Sequence, residues 1–162
     1  MNNTKKISSK NFFFFICLLA LIFPFSCKAN SSLNGETTKS KKSPHNLTIK
    51  KDMTIIVYYF HTTYRCNSCN KIEAFTKTSL EKNFINHLKN KKIIFKLTNI
   101  DKSDNKHFVK DYQLFTKSVV ISKNIKDKEV KWRRLDKTWE FLHKPKDFDQ
   151  YIKNEIINLV KE

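Results

Sequence analysis

Hydrophobicity in this chain changes period at a pair of cysteines, and that change limits the possible folds more than any other feature. Thr54-Ile55-Ile56-Val57-Tyr58-Tyr59-Phe60 is β-branched or aromatic at every position and too short for a typical helix, so it reads as a buried strand. Thr62 to Asn67 is polar and turn-like. From Ser68 onward, Ile72, Phe75, Leu80, Phe84, Ile85 and Leu88 recur at helical spacing, with Lys71, Lys77, Glu81, Lys82 and Lys89 on the other faces. The pattern predicts an amphipathic helix, capped by Ser68 and broken near Thr78. Cys66-Asn67-Ser68-Cys69 therefore sits where a strand hands over to a helix.

The rest of the pattern extends this start into a fold. Lys92 to Ile100 reads as a second strand, and Phe108, Val109 and Tyr112 suggest a short helix. Ser118 to Ser122 is a third strand, Asn124 to Lys128 a turn without glycine, and Glu129 to Leu135 a fourth strand. Asp136 is placed to cap a short helical segment with Trp139 and Leu142, which Pro145 ends. Phe148, Tyr151, Ile152, Ile156, Leu159 and Val160 form the apolar stripe of a last helix. A βαβ half followed by a ββα half predicts an α/β domain: a central mixed four-stranded sheet flanked by helices.

Of the 162 residues, 40% are hydrophobic and 13% aromatic, which excludes a chain that is disordered throughout. The formal net charge is +17, but only Arg65, Arg133 and Arg134 are arginines, so lysines spread along the chain carry almost all of it. Arginine supplies the bidentate fork that reads bases and grips phosphate, so nucleic acid is not an expected partner. The abundance of Lys, Asn, Ile and Phe, with Gly35 the single glycine, fits a coding bias toward A and T. No serine elbow, glycine-rich phosphate loop or His-Glu-x-x-His helix is present.

The N-terminus reads as an address. Lys5, Lys6 and Lys10 precede a nearly unbroken apolar run from Phe12 to Phe25, which fits a signal-peptide core and is short for a spanning helix of about 20 residues. Ser26-Cys27 resembles the end of a bacterial lipoprotein signal, although Pro24 stands where that pattern has leucine. Cys27 is the expected lipidation site, and ordinary cleavage after Ala29 is the alternative. The expected organisation is a signal peptide over 1–26, a flexible polar linker over 27–52 and a folded domain over 53–162. The mature protein is expected to be exported: a cell-envelope lipoprotein held at a membrane surface through its lipid, or a periplasmic or extracellular protein. Disulfides persist in such compartments.

Only Cys66 and Cys69 fall in the folded part, so a disulfide framework of the small secreted kind is excluded. At a helix start, the first thiol meets unpaired N–H groups and the positive end of the helix dipole. Arg65 and Lys71 add positive charge on either side. All three effects favour thiolate, whose pKa in such motifs falls to about 3.5–7.5. Cys66 is the expected nucleophile and Cys69 the resolving thiol, together forming a redox disulfide.

The order of elements and Cys66-Asn67-Ser68-Cys69 after Thr54–Phe60 resemble the thioredoxin-like superfamily. More narrowly, Val57-Tyr58-Tyr59-Phe60-His61, Tyr64-Arg65-Cys66, His107-Phe108-Val109-Lys110-Asp111-Tyr112 and Thr116-Lys117-Ser118-Val119-Val120 resemble bacterial proteins of the nitrophenyl compound nitroreductase subunit ArsF family. The first resemblance implies a thioredoxin-like fold. The second implies an electron-transfer role with nitroaromatics. Several positions depart from ordinary thioredoxins. Asn67-Ser68 replaces Gly-Pro, Arg65 replaces a tryptophan, and Phe60 stands where thioredoxins bury a carboxylate. Thioredoxins carry a cis-proline before the third strand that positions substrates and discourages metal binding; here Thr116-Lys117-Ser118 precedes Val119 with no proline near, and Arg65, Thr116 and Lys117 are the expected supporting residues.

The expected function is thiol–disulfide exchange or electron relay by a monomer that needs no cofactor, with a protein thiol, disulfide or electron donor as partner. Two alternatives stay open. Two soft thiolates suit Cu(I) or Zn(II), with His61 or His107 as a third ligand, in a domain that binds without redox turnover. A full structural zinc site would need four ligands, and there is no second cysteine pair. The other alternative is an inert staple, although so small a ring removes little chain entropy.

Overall fold

The computed structural model describes residues 47–162. The segment expected to be a signal peptide, residues 27–46 of the expected linker, and Cys27 lie outside the described residues. Strand β1 (Met53–His61) is followed by helix α1 (Asn67–Lys89), strand β2 (Ile93–Asn99), short helix α2 (His107–Asp111), strands β3 (Ser118–Ile125) and β4 (Lys128–Arg134), and helix α3 (Pro145–Lys161). Single 3-10 turns occupy Ser103–Asn105 and Asp136–Thr138. No helix among the described residues is long and apolar enough to cross a membrane.

The sheet order is β2-β1-β3-β4. β1 runs parallel to β2 and antiparallel to β3, and β3 runs antiparallel to β4. This is the βαβ-then-ββα arrangement expected from the sequence, an α/β domain with a mixed four-stranded sheet. Side chains alternate across β1 and feed two cores. Ile55, Val57 and Tyr59 join α1 and α3 through Ile72, Leu80, Phe148, Ile152 and Ile156. Tyr58 and Phe60 face the other way and pack with Val120, Tyr112 and Phe108 beneath α2. That second core is largely aromatic, with Tyr58 and Phe60 stacked at 5.2 Å and Phe108 and Tyr112 at 5.7 Å.

Four local expectations are corrected. The cap of α1 is Cys66; Ser68 lies inside the helix. The helix breaks at Phe84 (φ −137°), not near Thr78. One residue earlier, the Asn83 amide donates to the Ser79 carbonyl at 2.9 Å and competes for an acceptor of the helical ladder. Strand β3 runs on to Ile125, because Ser122 and Asn124 satisfy each other and Ser122 also donates to Glu129, so polar side chains are held in buried strand positions. Asp136 does not cap the segment after β4. It accepts from Arg134 Nε at 2.6 Å, and the segment is only a 3-10 turn.

The turn between β3 and β4 needs positive φ at two positions, and Lys126 and Asp127 take it without glycine (φ 50° and 63°). Residues 47–52, read as the end of the linker, are docked on the domain. Leu47 is buried, its carbonyl meets His87 Nε2 at 2.7 Å, and Ile49 packs against the same core. These two apolar side chains among polar neighbours are what the compositional reading passed over.

Phe148 is fully buried and meets Phe75 edge-on at 5.4 Å, joining α3 to α1. Phe148→Ala is expected to cost about 3–5 kcal/mol of unfolding free energy, measured by urea titration. Val130→Ala, on the exposed face of β4, should change it by less than about 0.5 kcal/mol.

Candidate functional site

Cys66 has extended backbone (φ −82°, ψ 168°) and its sulfur accepts from the Cys69 backbone N–H at 3.4 Å. Its carbonyl takes the first helical bond, from Asn70 at 3.1 Å. A thiol thus fills the place usually held by a serine or aspartate oxygen, and it satisfies one of the orphan N–H groups of α1. The first turn of the helix carries no acidic side chain.

The structure brings Cys66 and Cys69 together. Their sulfurs are in direct contact, within reach of disulfide formation. Cys66 is half-buried, whereas Cys69 is 0% exposed. The hydrogen bond from Cys69 is the largest influence on the Cys66 thiol and holds its pKa below the ordinary value, with help from the backbone N–H groups of Cys69 and Ser68. Burial is the largest influence on Cys69 and pushes its thiol up, as does donating to Cys66. One sulfur is accessible and prone to ionise; the other is sealed and keeps its proton.

Arg65 does not act as a bare charge beside Cys66. Its guanidinium donates to Glu73 and lies over the Tyr59 ring, 5.8 Å from the centroid. The cation that reaches Cys69 is Lys117, whose charge pulls that thiol down against the larger effect of burial. Lys117 and Thr116 are delivered by the sheet, since Ser118 pairs with Phe60 at the C-terminal end of β1. The Thr116 carbonyl accepts from the Ser118 hydroxyl at 2.9 Å, and the Lys117 carbonyl accepts from the Trp139 indole at 2.9 Å. No cis peptide bond occurs among the described residues.

Neither histidine joins the cysteines. His61 Nδ1 meets the Thr62 carbonyl at 2.9 Å, and His107 Nδ1 meets Asp111 at 2.7 Å on the exposed face of α2. Among the described residues no three His, Cys, Asp or Glu side chains converge as a metal site, so the third ligand of the alternative metal reading is not in place. Phe60 is buried in the aromatic core on the opposite face from Tyr59.

Three site residues were not anticipated. Tyr59, fully buried, donates its hydroxyl to the Cys69 carbonyl at 2.8 Å. Burial and the neighbouring Cys69 raise its pKa well above the usual phenol value. Glu73 partners Arg65; its place four residues after Cys69 was the available signal, since that spacing shares a helix face. Asp101 accepts from the Thr63 backbone N–H at 2.7 Å, and that bond holds its carboxyl below the usual range. With Asn99, which donates to the Thr63 hydroxyl at 3.1 Å, it ties the loop between β1 and α1 to the end of β2.

No protein-family model matches the chain, and no curated protein matches it. Among solved structures the chain is similar to the X-ray structure of Fasciola hepatica thioredoxin, at 16% identity and a TM-score of 0.34. The match covers 49% of this chain and 66% of that one, so the chain spans just under two thirds of the thioredoxin's length.

With iodoacetamide below pH 8, Cys66 is expected to be alkylated before Cys69, as read by peptide mass spectrometry. Cys69→Ala removes the donor that favours the Cys66 thiolate. It should therefore raise the Cys66 pKa and slow its alkylation about threefold to tenfold at that pH. Alkylation of Cys69 first would contradict the assignment.

Proposed function

We propose that this protein is an exported thiol–disulfide exchange or electron-relay protein acting through Cys66 and Cys69. One observation carries the reading: at a helix N-terminus, a half-exposed sulfur that favours thiolate is in contact with a sealed sulfur that favours its proton. In the forward direction the Cys66 thiolate attacks one sulfur of a partner disulfide. That S–S bond breaks, the departing sulfur takes up a proton, and a mixed disulfide forms. Cys69 then gives up its proton and attacks the Cys66 sulfur, releasing the partner's second thiol. Two electrons and two protons have passed from the cysteine pair to the partner, and the reverse sequence reloads the pair.

The resemblance of Tyr64-Arg65-Cys66 and of the segments around His107 and Thr116 to the ArsF family adds nitroaromatic electron acceptors to this reading. Lys5, Lys6 and Lys10, the apolar run and Cys27 add export and a lipid anchor, which would place the relay at an oxidising envelope surface.

A redox titration with metal analysis of the same purified sample tests the proposal. The expected result is a reversible two-electron couple with no bound metal. Stoichiometric copper or zinc that blocks thiol labelling would replace it with the two-thiolate metal reading. A disulfide that no physiological reductant opens would leave only a structural staple.

A further inference from the structure

The residues that fasten the cysteine pair form a closed circuit. Tyr59 reaches from β1 to the Cys69 carbonyl at 2.8 Å. Glu73, one turn after Cys69, takes the guanidinium of Arg65, the residue immediately before Cys66. That guanidinium lies back over the Tyr59 ring at 5.8 Å. The backbone on each side of the dithiol is thus tied to the same buried tyrosine, directly on one side and through Arg65–Glu73 on the other. Arg65 Nε is buried and has no acceptor among the described residues.

From this circuit we infer that Tyr59, Arg65 and Glu73 are positioning residues that keep the two sulfurs within reach of bond formation and so set how tightly the protein holds its Cys66–Cys69 disulfide. The inference rests on the redox reading above. Its physics is preorganisation. Closing the ring requires the sulfurs to give up conformational freedom, and a dithiol whose backbone is fastened on both sides has less of it to lose. Arg65 contributes by place rather than by charge, because Glu73 cancels its charge at the point where a thiolate would feel it.

The two roles predict opposite signs. If Arg65 stabilised the Cys66 thiolate by charge, removing it would disfavour the reduced dithiol. The disulfide would then be held more tightly, and the Cys66 pKa would rise. If Arg65 is part of a clamp, removing it frees the sulfurs, so the disulfide is held less tightly and the thiol pKa barely moves.

The test equilibrates the wild-type chain, Arg65→Ala, Glu73→Gln, Tyr59→Phe and the double swap Arg65→Glu/Glu73→Arg with reduced and oxidised glutathione. The disulfide fraction and the Cys66 thiol pKa are read for each, with circular dichroism to establish that each variant is folded. Glutathione disulfide is the oxidant: it accepts the two electrons and two protons as the Cys66–Cys69 bond forms. The three single variants should hold the disulfide about fivefold to tenfold less tightly, a rise in potential of about 20–30 mV, with the Cys66 pKa little changed. The swap should restore the wild-type constant to within about twofold. Tyr59→Phe keeps the buried ring and loses only the hydroxyl, so it serves if the charge variants fold poorly. Tighter holding in Arg65→Ala with a raised Cys66 pKa would overturn the clamp in favour of a charge role. Single variants all equal to wild type would overturn it outright. A wild-type chain without a reversible couple would sink the redox reading itself, and the clamp with it.

Discussion

The register of β1 against its two neighbours is the constraint on which the rest depends. β1 is hydrogen-bonded on both edges, and Val57, Tyr58, Tyr59 and Phe60 are all buried. Side chains alternate faces, so a one-residue slip would exchange Tyr59 with Phe60 and Tyr58, and both cores would fail together. The same register assembles the site. Phe60 stands opposite Ser118 on one side and Thr98 on the other, which brings Thr116 and Lys117 from one loop, and Asn99 and Asp101 from another, to the end of β1 where the cysteine loop begins. Three loops meet at one sheet end because one strand is central.

What then separates two chemically identical thiols is three residues of helix. Cys66 sits at the cap, where N–H groups lack helical partners and solvent has access; Cys69 sits one turn in, against the core. Net charge has little part in this difference. Arg65 is matched by Glu73, Lys82 by Asp149 at 2.5 Å, and Arg133 by Glu155 at 2.7 Å, so several cations near structured elements are already answered. Among the described residues most lysines are solvent-exposed, consistent with a bias of sequence composition rather than with a built anionic-ligand site.

Much of this was legible in the residues alone, for reasons that can be named. The switch from a β-branched run to helical spacing is a one-dimensional signal, and it located β1, α1 and the cysteine pair between them. The order of the remaining elements followed from the same periodicities. Four features were hidden because they depend on pairing in space. A sulfur cap looks like an ordinary cysteine until its acceptor geometry is visible, so Ser68 drew the assignment. Ser122 and Asn124 look like the end of a strand until Glu129 on the next strand satisfies the Ser122 hydroxyl. The break at Phe84 depends on Asn83 and Asp149, separated by 66 residues and meeting at 2.6 Å. Arg65 beside Cys66 reads as an activating charge until Glu73 is seen to hold it.

Under the proposed exchange role, the arrangement also bears on how a sealed thiol becomes reactive with an aromatic residue, Phe60, at the end of β1. Cys69 is held protonated by three influences: burial, the hydrogen bond it donates to Cys66, and the repulsion of the Cys66 thiolate. Two of these require that Cys66 be ionised. Once the Cys66 sulfur is bonded to another sulfur it no longer carries charge, and it becomes a poor acceptor. The hydrogen bond and the repulsion vanish together, leaving burial opposed by the backbone hydrogen bond from Cys66 and, after it, by the Lys117 charge. The pair titrates as a unit while both thiols are free, and Cys69 becomes easier to ionise at the moment when its attack is needed. If the pair works as proposed, consumption of the first sulfur would itself be the trigger for the second step, and the aromatic residue at position 60 serves the second core.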